Sequence, residues 1–114
     1  MEKIVERSIL YDFYGELLTE HQKHIYEDFV LNDLSLGEIA VDNNISRQGV
    51  HDLIKRCDRM LEEYENKLHL IQKFNFAKSS VERINELVKE CRENGDIRLI
   101  DDIERLSNDI LESL

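Results

Sequence analysis

Apolar residues recur at spacings of three and four along nearly the whole chain, the rhythm of one-sided helices. Val5, Ile9, Phe13 and Leu17, widened by Leu10 and Tyr14, predict a first helix from about residue 3 to Leu18. Thr19 is placed to cap a second helix, with Gln22 as its reciprocal partner three residues on. Ile25, Tyr26, Phe29 and Val30 form its buried side, and Asn32-Asp33 ends it. Ser35 and Glu38 repeat the capping arrangement before a short helix in which Leu36, Ile39 and Ala40 face inward. Asn43-Asn44 is the predicted corner, because asparagine tolerates a left-handed backbone. Ser46 is the cap of the next helix. Val50, Leu53, Ile54, Cys57, Leu61, Tyr64, Leu68 and Ile71 predict that this helix runs from Arg47 to about Lys73, roughly 40 Å long. Phe74-Asn75-Phe76 is expected to close it. A further helix carries Val81, Ile84, Val88 and Cys91, with Gly95 as its C-terminal cap. Asp96 is expected to cap a last helix bearing Ile100, Ile103, Leu106, Ile110 and Leu114.

The absence of proline and the presence of only four glycines remove the commonest helix breakers, so the expected class is all-α. The expected layout is a helix-turn-helix head over residues 1–59 and a helical tail over residues 60–114 that shares the long helix. No apolar run approaches the roughly 18 residues of a membrane span. The opening Met1-Glu2-Lys3-Ile4-Val5-Glu6-Arg7 has no apolar export core, which makes the cytoplasm the expected location. Cys57 and Cys91 fall at apolar helical positions without zinc-ligand spacing and are expected to be reduced core thiols.

Ser35 to Arg56 has the makings of a helix-turn-helix. Ala40 supplies the small residue where two helices touch, Asn44 the left-handed corner, and Val50 the branched anchor, with Ile45, Leu53 and Ile54 completing the buried set. Asn43 stands where a larger apolar residue is usual, which implies either a looser corner or a side chain bonded to the local backbone. The second helix then presents Arg47, Gln48, His51, Asp52 and Lys55 outward. Its early residues are placed to meet base edges, where Arg47 matches guanine and Gln48 adenine. Lys55, Arg56 and Arg59 suit phosphate contacts, although Arg56 lies nearer the buried side. With the cap Ser46, these are the candidate nucleic-acid-binding residues. The plainer reading is a set of solvated charges on an ordinary helix pair.

Charge separates these readings only in part. Residues 1–45 hold 10 acidic and 3 basic side chains, residues 46–59 hold 2 and 4, and residues 60–114 hold 13 and 8. The one locally basic segment is therefore the candidate reading helix. Yet the chain as a whole is at −10, so a lone copy should hold duplex phosphate weakly at physiological salt.

Leu17-Leu18-Thr19-Glu20-His21-Gln22, then Ser35-Leu36-Gly37-Glu38-Ile39-Ala40 and Ile45-Ser46-Arg47-Gln48-Gly49-Val50, resemble the domain of bacterial sigma factors that reads the upstream promoter element. Tyr11-Asp12-Phe13-Tyr14, Ile54-Lys55-Arg56 and Leu61-Glu62-Glu63-Tyr64-Glu65 resemble the YlxM family more closely, over nearly the whole chain and most strongly over residues 9–74. That resemblance implies a bacterial, cytoplasmic, sigma-like helix-turn-helix protein. It also implies a regulatory part in the signal recognition particle pathway, through gene neighbourhood. By the same resemblance, Arg47, Gln48, His51 and Lys55 would carry any nucleic-acid contact.

Other constellations are plainer. His21 and His24 share a helix face but lack a third ligand, and Asp101, Asp102 and Glu104 read as a solvated helix start. No cofactor, metal or small-molecule substrate is implied, and no nucleophile, base and orienter are grouped as an enzyme needs. The tail does ask for cover. Leu61, Tyr64, Leu68 and Ile71, with Ile103, Leu106 and Ile110, are the expected dimerisation positions of a homodimer. Two partners are thus expected besides a second copy: DNA, read by the head of a regulatory protein, or the targeting particle's RNA or protein, bound by the same head acting as an adaptor.

Overall fold

A computed structural model describes residues 2–114 as six α-helices, with no strand among them. These are α1 (Lys3–Tyr14), α2 (Glu20–Val30), α3 (Leu36–Asn43), α4 (Arg47–Leu68), α5 (Leu70–Asn94) and α6 (Leu99–Ser113). The chain forms two compact bodies, one reaching to His69 and the other spanning Leu70–Leu114.

The helix starts of the first body are where the sequence places them. Thr19 and Ser35 each close a full capping box, accepting from the backbone N–H of Gln22 and Glu38 while those side chains accept from the cap's own N–H. α2 ends at Val30, just before Asn32-Asp33, and Asp33 adopts a positive φ. The first helix ends earlier than expected. After Tyr14 it tightens into a single 3₁₀ turn, Gly15–Leu17, and glycine is required at its start because a Cβ on residue 15 would lie 2.7 Å from the Tyr11 ring.

α1, α2 and α3 all pack on α4 or on one another, around Tyr14, Ile25, Tyr26, Ile39, Val50, Cys57 and Leu61, each under 2% exposed. The buried side of α1 is rolled away from the predicted stripe. Leu10 and Tyr14 are buried, whereas Val5 and Leu17 are 44% and 53% exposed. The cause is Arg7, three residues before Leu10. Its guanidinium donates to Asp58 of α4 in a fork, Nε to Oδ1 at 3.0 Å and Nη2 to Oδ2 at 2.8 Å. Tyr26 of α2 donates its hydroxyl to the same carboxylate at 2.6 Å, and the Phe29 ring lies 5.4 Å from the guanidinium carbon. One buried carboxylate thus ties three helices. No buried side-chain nitrogen or oxygen among the described residues lacks a partner.

Burial alone would raise the Asp58 pKa, but the hydrogen bonds from Arg7 and Tyr26 outweigh it and hold the carboxyl below its ordinary range. Burial, and then Asp58 itself, push the Tyr26 phenol upward. Burial, reinforced by the neighbouring Asp58, likewise raises the Cys57 thiol to about 11, so it sits as a protonated core residue.

Two expectations about the long helix need correction. α4 stops at Leu68, not near Lys73, because His69 takes a left-handed conformation (φ 56) and its N–H caps Glu65 O. Histidine is among the side chains that enter this region more readily than most. Phe74-Asn75-Phe76, expected to turn the chain, lies inside α5. The long helix consequently belongs wholly to the first body. Leu61, placed among the dimerisation positions, is fully buried there, and Tyr64 stacks beside Tyr14 with ring centroids 6.0 Å apart. Leu61 is thereby closed to a second copy, while Tyr64 stays half-buried.

In the second body α5 and α6 form a hairpin. Gly95 ends α5 at φ 68, the left-handed position for which glycine is suited. Asp96 accepts from the Arg98 backbone N–H at 3.1 Å and from its Nε at 3.0 Å. It thereby starts the turn into α6, one turn ahead of the helix proper. Arg98 holds its carboxyl below the usual range.

Removing one partner of the Asp58 cluster strands a buried charge, so Arg7→Ala should cost about 3–5 kcal/mol in denaturant unfolding. Because the folded Asp58 pKa is lowered, its contribution is complete above about pH 4 and fades as pH falls below that. Asp58→Asn should therefore be less stable than the parent at pH 7, and the gap should close under acid. An unchanged gap at every pH would contradict the assignment.

Candidate nucleic-acid interface

Two short-range devices aim the second helix of the helix-turn-helix. Asn44 closes α3 in the left-handed region (φ 54, ψ 44), and its N–H and that of Ile45 satisfy the last carbonyls of α3, including Ala40 O. Ser46 then caps α4, its hydroxyl accepting the Gly49 N–H at 2.9 Å. The unusual Asn43 donates its side-chain amide to Ile39 O at 2.8 Å. The local backbone bond, rather than a looser corner, is what it provides. α3 packs against α4 with Ile39, Ala40 and Val50 buried, while Leu53 is half-buried. Ile45, expected in this core, remains 36% exposed.

With Ile54, Cys57, Asp58 and Leu61 turned inward, all seven candidate residues lie exposed, Ser46 as the cap of α4 and Arg47, Gln48, His51, Lys55, Arg56 and Arg59 along the helix. Arg56 belongs with them and not on the buried side. It lines an open groove with Thr19, His21 and Gln22 of the α2 start and with Gly49, Asp52 and Leu53 of α4.

The electrostatics of this face differ from the sequence count. Asp58 is withdrawn into the core and matched by Arg7. The solvent side of residues 46–59 therefore carries four cations against one carboxylate, Asp52. Among the described residues none of Arg47, Lys55, Arg56 and Arg59 has a carboxylate within ion-pair distance. Asp52 accepts from Gln48 Nε2 at 2.9 Å and lies 3.6 Å from His51 Nδ1. It holds Gln48 and His51 as one polar cluster in the middle of the face.

Sequence reasoning missed Arg7 and Asp58, which set the roll of this face. The available signal was a single acid, Asp58, inside the i, i+3, i+4 apolar stripe of α4 beside Cys57 and Leu61. His21 and His24 gain no third ligand, for no group of three His, Cys, Asp or Glu among the described residues is placed to hold a metal ion. No helix among them is long and apolar enough to cross a membrane.

The corner is testable. Asn44→Val should destabilise the fold by about 1–2 kcal/mol because a branched Cβ resists the left-handed region. Asn44→Gly should stay within about 1 kcal/mol of the parent. Denaturant midpoints measure both, and equal midpoints for the two variants would contradict the corner's role.

Comparison with known proteins agrees with this geometry. Residues 1–103 match the UPF0122 family, "helix-turn-helix protein, YlxM / p13 like". UPF0122 protein YlxM of Bacillus subtilis (strain 168) is 43% identical over 107 residues, covering 93% of this chain and 97% of that protein. UPF0122 proteins of Bacillus thuringiensis (strain Al Hakam) and Bacillus cereus (strain 03BB102) are each 47% identical over 90 residues, 79% of this chain and 82% of theirs. The all-helical architecture, the helix-turn-helix at Leu36–Leu68 and a match to the family model over most of its length together mean that the chain belongs to the UPF0122 family of YlxM-like helix-turn-helix proteins.

Proposed function

We propose that this protein is a non-enzymatic, DNA-binding regulatory protein that reads a duplex with the first half of α4 and acts as a homodimer. The observation that carries the reading is the exposed face of residues 46–59: its four cations are free of carboxylate partners among the described residues, its one acid is Asp52, and Asp58 is withdrawn into the core against Arg7. Ser46 fixes the start of α4, so the helix can enter a major groove with its N-terminal residues toward the bases. Arg47 then pairs with guanine through its forked donors. Gln48, already held by Asp52, presents its amide to adenine. Lys55, Arg56 and Arg59 grip phosphate and set register without reading sequence.

A second reading has one specific observation in its favour. The chain carries −10 overall, and nonspecific duplex affinity rests on phosphate neutralisation. An adaptor that docks the same face on the RNA or protein of the signal recognition particle would need less of that term. Its place in the protein-targeting pathway comes from the family resemblance alone.

Titrations on duplex DNA at several salt concentrations, with structured RNA in parallel, separate the two. Arg47→Ala should relax sequence preference at one base pair, with a loss of about 1–3 kcal/mol on the preferred site. Lys55→Ala should weaken all duplexes alike and lower the salt slope by about 1. Duplex affinity identical for the parent and both variants would overturn the DNA reading. Tight RNA binding with negligible duplex binding would replace it by the adaptor.

A further inference from the structure

The hairpin of α5 and α6 carries more apolar surface than a two-helix contact covers. On α6, Leu99, Ile103, Leu106 and Ile110 make a half-buried seam. Beside it runs a second apolar row, Ile100 at 47% exposed, Leu111 at 67% and Leu114 at 78%. Together the two rows span an arc of about 140° at 100° per residue. A single neighbouring helix covers only the narrower seam, and arcs this wide face a core of several helices. α5 repeats the arrangement: Leu87 is buried and Ile84 and Cys91 are half-buried, while Val81 alongside them is 46% exposed. No residue of α6 is fully buried.

The charges say what fits there. Within α5, five Lys and Arg face four carboxylates, a slight positive excess. Within α6, one Arg stands against five carboxylates, an excess of four negative charges. A second α6 laid on the exposed row would bring like charges together. An α5 from another copy brings the opposite sign, for at 100° per residue Lys78, Lys89 and Arg92 border Val81 as Glu104 borders Ile100 on α6.

We infer that the exposed row of α6, Ile100, Leu111 and Leu114, is the interface with a second copy of this chain, whose α5 edge at Val81 lies against it, so that two hairpins close a four-helix bundle. Four antiparallel helices joined by short loops pack around one shared apolar core in this way. The inference rests on the homodimer part of the proposed function and adds its surface and its pairing. It replaces Leu61, which the head has already covered, by residues that solvent reaches in a single copy.

Sedimentation of the full chain at micromolar concentration tests it. The parent should run at twice its 13.5 kDa chain mass. The double variant Ile100→Glu, Leu111→Glu should run as a monomer with unchanged helical circular dichroism, since both positions are exposed in the single chain. Glu104→Lys separates the pairings by sign. Set against α5 of the second copy it should loosen the dimer about two- to fivefold, the range of one rim charge, whereas set against a second α6 it would tighten it. A monomeric parent, a double variant that stays dimeric, or tightening by Glu104→Lys each overturns the inference. A dimeric parent that fails to bind any duplex overturns the DNA reading and leaves this surface standing.

Discussion

Asp58 sets the roll of α4, and through Arg7 and Tyr26 it sets the roll of α1 and α2 as well. A carboxylate in an apolar interior is tolerated only when charge and lone pairs are fully matched. Here the match is geometrically exacting, a forked guanidinium on one side and a phenol on the other. A small rotation of any of the three helices would break it. Apolar packing around Ile25, Tyr26 and Cys57 supplies the bulk of the cohesion, being the larger area removed from water. The polar cluster adds a directional constraint that apolar packing lacks, since its hydrogen bonds hold only at one mutual rotation of the three helices.

That selection has an electrical consequence. Were Asp58 on the surface, the reading face would carry two carboxylates against its four cations. Turned inward and neutralised by Arg7, it leaves Asp52 as the sole acid on that side. The same roll that completes the core therefore clears the face on which the proposed function depends. Structure and charge are settled by one side chain. The −10 of the whole chain remains, concentrated outside residues 46–59, and makes a paired arrangement of two reading helices the natural way to gain phosphate contacts.

Local devices are legible in the sequence, and long-range ones are not. The caps at Thr19, Ser35 and Ser46, the left-handed Asn44 and the Gly95 terminus each depend on residues within a turn of one another, and they stand where their spacing places them. The Arg7–Asp58 fork spans 51 positions, and nothing near either residue announces the other. For the same reason the apolar stripe of α1 points one row away from its buried side. Leu61 and Tyr64 look like uncovered tail positions because the cover, Tyr14 among it, comes from the opposite end of the body. The break at His69 has no proline or glycine to mark it, and the apolar rhythm runs on undisturbed through Leu68 and Ile71. Of the candidate interface, every residue lies on the side that the helical spacing predicts, and only Arg56 stands farther from the core than that spacing implies.

Amide chemical shifts of the full-length protein, followed while a duplex is titrated in at low salt, bear most directly on the central claim. The largest changes should fall between Ser46 and Arg59, with Arg47 and Gln48 foremost and the buried Ile54 and Cys57 moving least. Changes confined to Leu70–Leu114, or a spectrum indifferent to any duplex, would contradict it.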